Sequence, residues 1–147
     1  CAQIFALLEE KGVCSAAELE EYAANGEIKD RWFLEGIQRG DKYCLEGYLF
    51  PDTYYFYKES DESVIIDKML LNFYNKFGAE YKQECEKAGM TVDQVVNFAS
   101  LIQMEAKYTT EYTLVSSVFH NRLNRFTPVY AIRIYKLFLI IRKLYCS

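Results

Sequence analysis

Glu105 stands where the pattern around it calls for an apolar residue. In the stretch Asn97-Phe98-Ala99-Ser100-Leu101-Ile102-Gln103-Met104-Glu105-Ala106, Phe98, Leu101 and Ile102 precede it by seven, four and three positions. On a helix those spacings gather all four side chains on one face. A carboxyl group on a buried face must find a partner or hold its proton, because a bare charge is too costly to bury. A carboxyl that is protonated near neutral pH is what a general acid requires. The same spacing fits a Glu at the edge of the stripe, paired with a Lys or Arg or reaching solvent. The pattern leaves both readings open. An acidic pair lies upstream: Glu46 and Asp52 flank Pro51 in Leu45-Glu46-Gly47-Tyr48-Leu49-Phe50-Pro51-Asp52-Thr53-Tyr54-Tyr55-Phe56-Tyr57. It reads either as exposed loop acids or as a carboxylate pair lining a groove.

The element that must carry Glu105 has the best-marked start in the chain. Thr91-Val92-Asp93-Gln94 is a capping box, and Met90 and Val95 occupy the positions of a hydrophobic staple. After a break near Tyr108 and Thr109, the pattern of Leu114, Val115, Val118, Phe119, Arg122 and Leu123 predicts another helix.

Upstream, Ile4, Leu7, Leu8 and Lys11 predict a short amphipathic helix stopped by Gly12. Ser15-Ala16-Ala17-Glu18 reads as a capping box for a second helix with Leu19, Tyr22 and Ala23 on its apolar face, ended by Asn25-Gly26. Residues 30–38, around Trp32, Phe33 and Ile37, form a third short helical candidate, followed by a turn at Gly40-Asp41. The aromatic segment after Leu45 favours extended structure, although Pro51 cannot donate to a ladder and must sit at an edge, break or bulge. Ser60-Asp61-Glu62-Ser63 opens a long helix to about Phe77 with Ile65, Met69, Phe73 and Phe77 as its stripe. A short helix from Tyr81 to Lys87 ends at Gly89. Helix follows helix around one extended segment, so the predicted class is α+β, predominantly helical.

Composition narrows the function. The 147 residues suit one ordinary domain and its core. Thirteen Tyr and ten Phe in a half-apolar chain mark a folded protein, not a disordered one. A formal charge of −4 supplies no broad basic face, which argues against nucleic acid as the main partner. Exposed Tyr rings suit the C–H faces of sugars, and Tyr is equally an ordinary half-buried strand residue. Cys1, Cys14, Cys44, Cys85 and Cys146 are scattered, without zinc spacing or the density of a disulfide scaffold, and read mostly as buried thiols. Nothing in the pattern suggests a metal or an organic cofactor. The chain starts without Met and shows no signal peptide, so it reads as an internal piece of a longer protein. Residues 131–145 are apolar and basic, too short and too charged to span a bilayer.

Three strings together carry a family resemblance: Glu46-Gly47-Tyr48-Leu49-Phe50-Pro51-Asp52-Thr53-Tyr54, then Ala99-Ser100-Leu101-Ile102-Gln103-Met104-Glu105, then Ser117-Val118-Phe119-His120-Asn121-Arg122-Leu123. In that order and spacing they closely resemble the YceG-like family of endolytic murein transglycosylases. The resemblance covers residues 1–125, the N-terminal part of the catalytic region. Residues 126–147 diverge and read as a truncation or a frame change, which would leave the domain incomplete and this polypeptide inactive. The resemblance implies a bacterial enzyme that cuts peptidoglycan strands internally between N-acetylmuramic acid and N-acetylglucosamine, leaving 1,6-anhydro ends. It places the catalytic Glu at Glu105; many members also have Glu where this chain has Gln103. Glu46, Tyr48, Asp52 and Tyr54 become candidates for the glycan groove. Asn121 and Arg122 become candidates for holding Glu105 or an acetamido group, or for plain helix packing. His120 reads as a helix-surface residue. The implied partners are peptidoglycan strands and the wall-synthesis machinery. The implied location is the cell membrane, through an N-terminal helix that this chain lacks, with the catalytic part on the wall side. The competing reading is a non-catalytic peptidoglycan-binding or scaffold domain.

Overall fold

A computed structural model of the chain describes residues 1–29, 31–37, 40 and 44–123, with the side chains of residues 79, 80, 120, 122 and 123 outside that description. Residue 30, residue 38 and the 126–147 tail therefore lie outside the described residues. Among the described residues five α-helices follow in order: α1 Ala2–Glu10, α2 Ala16–Asn25, α3 Glu62–Ala88, α4 Val92–Glu105 and α5 Tyr112–Leu123. The chain divides into two compact units, Cys1–Lys76 and Phe77–Ser147.

In the first unit, α1 packs against α2. The end of α1 is closed by backbone bonds from Gly12 N to Glu9 O (2.9 Å) and from Val13 N to Leu8 O (2.9 Å), the pairing of a Schellman stop. The capping box expected at Ser15 does not form. Ser15 sits at the N-cap without a side-chain bond, and the Ala16 N–H donates instead to the Glu9 carboxylate of α1 at 3.2 Å. A tertiary acceptor has replaced the local one. The third helical candidate contracts to a single 3₁₀ turn, Trp32–Leu34, whose Phe33 is fully buried.

Three rings build the centre of this unit. Phe33 meets Phe73 of α3 at 5.0 Å between centroids, Tyr48 meets Phe73 at 5.3 Å, and Phe33 stacks on Tyr48 at 6.1 Å. Leu19, Ala23, Leu45, Ile65, Ile66, Met69 and Leu70 complete the core.

The predicted stripe of α3 is buried throughout: Ile65, Met69, Phe73 and Phe77. The gap expected between Phe77 and Tyr81 is a break at Gly78, with φ 61° and ψ 160°. That region is essentially closed to residues with a Cβ.

The second unit rests on α4 and α5, which pack on each other with Phe98 edge-on to Phe119 at 6.2 Å. The capping box of α4 is present in both halves: Gln94 N donates to Thr91 Oγ1 at 3.2 Å, and Thr91 N donates to Gln94 Oε1 at 3.0 Å. Thr91→Ala should therefore cost about 1 kcal/mol in urea denaturation, whereas Ser15→Ala should cost much less, since Ser15 makes no cap bond.

The α+β expectation is not met among the described residues, which contain no strand. The aromatic segment is extended and alternates in exposure, with Tyr54 and Phe56 half-buried and Tyr55 and Tyr57 out. Among the described residues no strand pairs with it. It lies along α3 instead, held by side chains.

Candidate active site

The candidate residues fall in both units. In the first, Leu45-Glu46-Gly47-Tyr48 forms a turn closed by Tyr48 N donating to Leu45 O at 3.0 Å, with Gly47 at φ 86°. A left-handed third position of this kind favours Gly. The turn carries Tyr48 into the core, where it is 1% exposed. Tyr48 is thus corrected from a groove residue to a core ring. Glu46 stays exposed on the same turn.

The segment beyond the turn is clamped by α3 side chains spaced four apart. Lys76 lies over the Phe50 ring at 5.7 Å. Asn72 Nδ2 donates both to Asp52 Oδ2 (3.0 Å) and to the Tyr54 hydroxyl (2.9 Å). Lys68 donates to Tyr55 O (2.8 Å) and lies over the Phe56 ring at 5.1 Å. Residues 68, 72 and 76 share one face of a helix, so α3 presents a buried stripe and, elsewhere on its surface, this polar clamp. Asn72 gave no signal in the sequence, because a polar residue on a helix ordinarily faces water.

The clamp sorts the remaining candidates. The Tyr54 hydroxyl accepts from Asn72 and donates to Phe50 O at 2.6 Å, so its hydrogen bonds are used inside the protein. Burial pushes the Tyr54 phenol up, against the pull of the Asn72 amide. Asp52 is exposed, and its carboxylate is held below the usual carboxylate range, first by the Asn72 amide and then by the Thr53 N–H. It therefore stands ionised as a fixed acceptor. Beside it opens a cavity of about 500 Å³ lined by Leu7, Leu8, Pro51, Asp52, Tyr54 and Tyr55, among others. Glu46 is not among the lining residues, so the expected Glu46–Asp52 pair does not share this cavity.

The Asn72–Asp52 bond has a pH signature. The folded carboxyl of Asp52 sits lower than the unfolded one, so its contribution is full above the unfolded value and is lost as pH falls through the folded value. Asn72→Ala should be less stable than the parent chain at neutral pH. The gap between the two should narrow in acid, as read by thermal melts from pH 7 downward.

In the second unit, Glu105 is the last residue of α4. Ile102, Ala99 and Ala106 are buried, Leu101 is 47% exposed, and Glu105 is exposed. At about 100° per residue, Glu105 lies some 60° around the helix from Ile102, on the side away from Ala99 and Ala106. The buried-stripe reading of Glu105 is thus overturned. Phe98 and Ile102 point inward, Leu101 and Glu105 do not, and α4 does not desolvate the carboxyl.

Glu105 has no hydrogen-bond or ion-pair partner among the described residues. A helix C-terminus welcomes cations and disfavours anions, and α4 has no basic residue in its last turn. Local stability therefore gives no reason for a Glu here.

Asn121 is exposed on α5. The side chains of Arg122 and His120 lie outside the described residues.

The loop after Glu105 is fixed by a residue the sequence reading passed over. Glu111 Oε2 accepts from both Lys107 N and Tyr108 N at 3.0 Å. The signal was there: an acid three positions past Tyr108 at the entry to a helix.

Among the described residues no three of His, Cys, Asp and Glu are grouped to hold a metal ion, and no helix is long and apolar enough to cross a membrane. Cys1, Cys14, Cys44 and Cys85 are not joined in disulfides. Only Cys85 is buried, which pushes its thiol up to about 11; Cys146 lies outside the described residues.

Comparison with known proteins gives a consistent picture. The model of the YceG-like family matches residues 1–131, running past Arg125. An endolytic murein transglycosylase of Streptococcus pneumoniae (strain D39) is 37% identical over 90 residues, 61% of this chain and 16% of the relative. The Bacillus subtilis endolytic murein transglycosylase is 36% identical over 103 residues, 70% of this chain and 29% of the relative. The chain thus spans less than a third of the length of these relatives. No solved structure matches it.

Proposed function

Because the chain belongs to the YceG-like family, we propose that it acts on peptidoglycan as an endolytic lytic transglycosylase, with Glu105 as general acid and base. The observation that carries this reading is the place of Glu105: an exposed carboxyl ending α4, without a partner among the described residues and without a stabilising reason to be there.

In the proposed reaction Glu105 protonates the leaving glycosidic oxygen. It then takes the proton of the C6 hydroxyl of the N-acetylmuramic acid, whose oxygen attacks C1 and closes the 1,6-anhydro ring. The nucleophile belongs to the substrate, so no second carboxylate is needed to activate water, unlike in the usual two-carboxylate glycosidases. Intramolecular attack gains further from proximity. Since α4 leaves Glu105 in water, the bound glycan itself supplies the desolvation that strengthens the acid role.

Asp52 and the cavity beside it are proposed as a glycan-contacting surface of the first unit. The cavity's size lies within the ligand-pocket range of about 300–1,000 Å³. Wall-synthesis proteins as partners, and a membrane anchor in a longer parent protein, belong to the same proposal.

The exposure of Glu105 favours a second reading, a wall-binding domain without catalysis. Incubation with insoluble peptidoglycan separates the two. Sedimentation with the wall and release of muropeptides supports the enzyme, whereas sedimentation without release supports the binding domain.

A further inference from the structure

The turn that follows Glu105 is more constrained than a surface loop needs to be. Ala106 leaves the helix in extended conformation, with φ −92° and ψ 120°. The next two N–H groups, of Lys107 and Tyr108, both converge on Glu111 Oε2 at 3.0 Å. A single carboxylate oxygen therefore sets the direction of the chain immediately after Glu105, through two charge-assisted bonds. What the constraint displays is an aromatic ring. Tyr108 is 59% exposed, and the Lys107 ammonium lies over its ring at 5.5 Å. Three residues span at most about 11 Å of backbone, so the ring stands within a sugar unit or two of Glu105. Aromatic faces offer apolar area at low entropic cost, with a polar tip for hydrogen bonding.

We propose that Tyr108 is a stacking platform for an N-acetylated hexosamine unit beside the bond that Glu105 cuts, and that Glu111 is the positioning residue that presents it. This rests on the role proposed for Glu105 and adds to it a substrate-contacting ring and its support.

The test uses the whole chain in a Glu105→Gln background, so that bound glycan is not cut, and measures the Kd for soluble, peptide-free peptidoglycan glycan strands. Tyr108→Phe should bind within about twofold of the parent, and Tyr108→Ala should bind roughly tenfold more weakly. Glu111→Ala should lose as much as Tyr108→Ala, while Glu111→Gln, which keeps an acceptor oxygen, should restore binding. The Tyr108→Ala/Glu111→Ala double variant should lose no more than either single one. Far-ultraviolet circular dichroism melts confirm that each variant folds.

Unchanged binding by folded Tyr108→Ala overturns the platform. Equal losses in Glu111→Ala and Glu111→Gln, or additive losses in the double variant, overturn the positioning role. If the parent chain cuts strands in a Glu105-dependent way and only these variants behave otherwise, the failure belongs to this inference alone. Absence of any glycan binding sinks it together with the reading of Glu105.

Discussion

Glu105→Gln should reduce release of glycan fragments by about 10³-fold or more, because in the proposed reaction one carboxyl serves as both acid and base, and general acid–base catalysis alone is worth about 10²–10⁴-fold. The substitution keeps the side chain's shape and removes only its charge and its exchangeable proton. It should leave folding intact. Glu105 makes no bond among the described residues, and a neutral amide at the end of α4 relieves an unfavourable meeting with the helix dipole. The thermal midpoint of Glu105→Gln should therefore equal or slightly exceed that of the parent chain. This combination, lost activity with undiminished stability, separates a functional residue from a structural one. Gln103 provides the internal control. It is a neighbouring exposed polar residue of α4, and Gln103→Ala should leave the rate within a few-fold.

Phe73→Ala should have the largest effect on folding. Its ring touches both Phe33 and Tyr48, at 5.0 and 5.3 Å between centroids, and all three are essentially inaccessible. Deleting a buried Phe costs roughly 3–5 kcal/mol from lost transfer energy and the cavity left behind. Domain stabilities are only about 5–15 kcal/mol, so the Cys1–Lys76 unit should lose much or all of its cooperative melt. Asn72, which holds Asp52 and Tyr54, is the residue next to Phe73 on the same helix, so this clamp should loosen with it. Urea titration followed by Trp32 fluorescence reads this directly, since Trp32 sits edge-on to Phe33 at 5.9 Å.

The helices were legible in the sequence where the information was local. Thr91 and Gln94 form the reciprocal cap that their spacing announces, and Gly78 breaks α3 in the gap between its two predicted parts. The failures came from interactions at a distance. Ser15 and Glu18 have the same cap spacing as Thr91 and Gln94, but Glu9 of a neighbouring helix reaches the first turn of α2 before them. Tyr48 is a groove candidate by family resemblance, yet the turn at Gly47 swings it inward against two rings. The aromatic segment has the alternation of a strand, yet Lys68, Asn72 and Lys76 hold it, and no ladder does.

Of the candidate site, the motif singles out Glu105, but it does not reveal the exposure of its carboxyl. Leu101 lies on the solvent side of the stripe, and Glu105 sits at the stripe's edge, between Leu101 and the buried Phe98 around α4. Four apolar-stripe positions do not reveal which way the stripe turns until the partner helix is known. Asn72 acts through hydrogen bonds to residues that no periodicity links to it, whereas Glu111 stands at the cap spacing from Tyr108, a local signal.

The central claim is that this chain breaks the glycan without water. Mass analysis of the fragments released from purified strands tests it most directly. The account predicts ends lighter than a reducing sugar by one water, formed by the parent chain and absent with Glu105→Gln. Reducing ends, or anhydro ends formed equally well by Glu105→Gln, would contradict it.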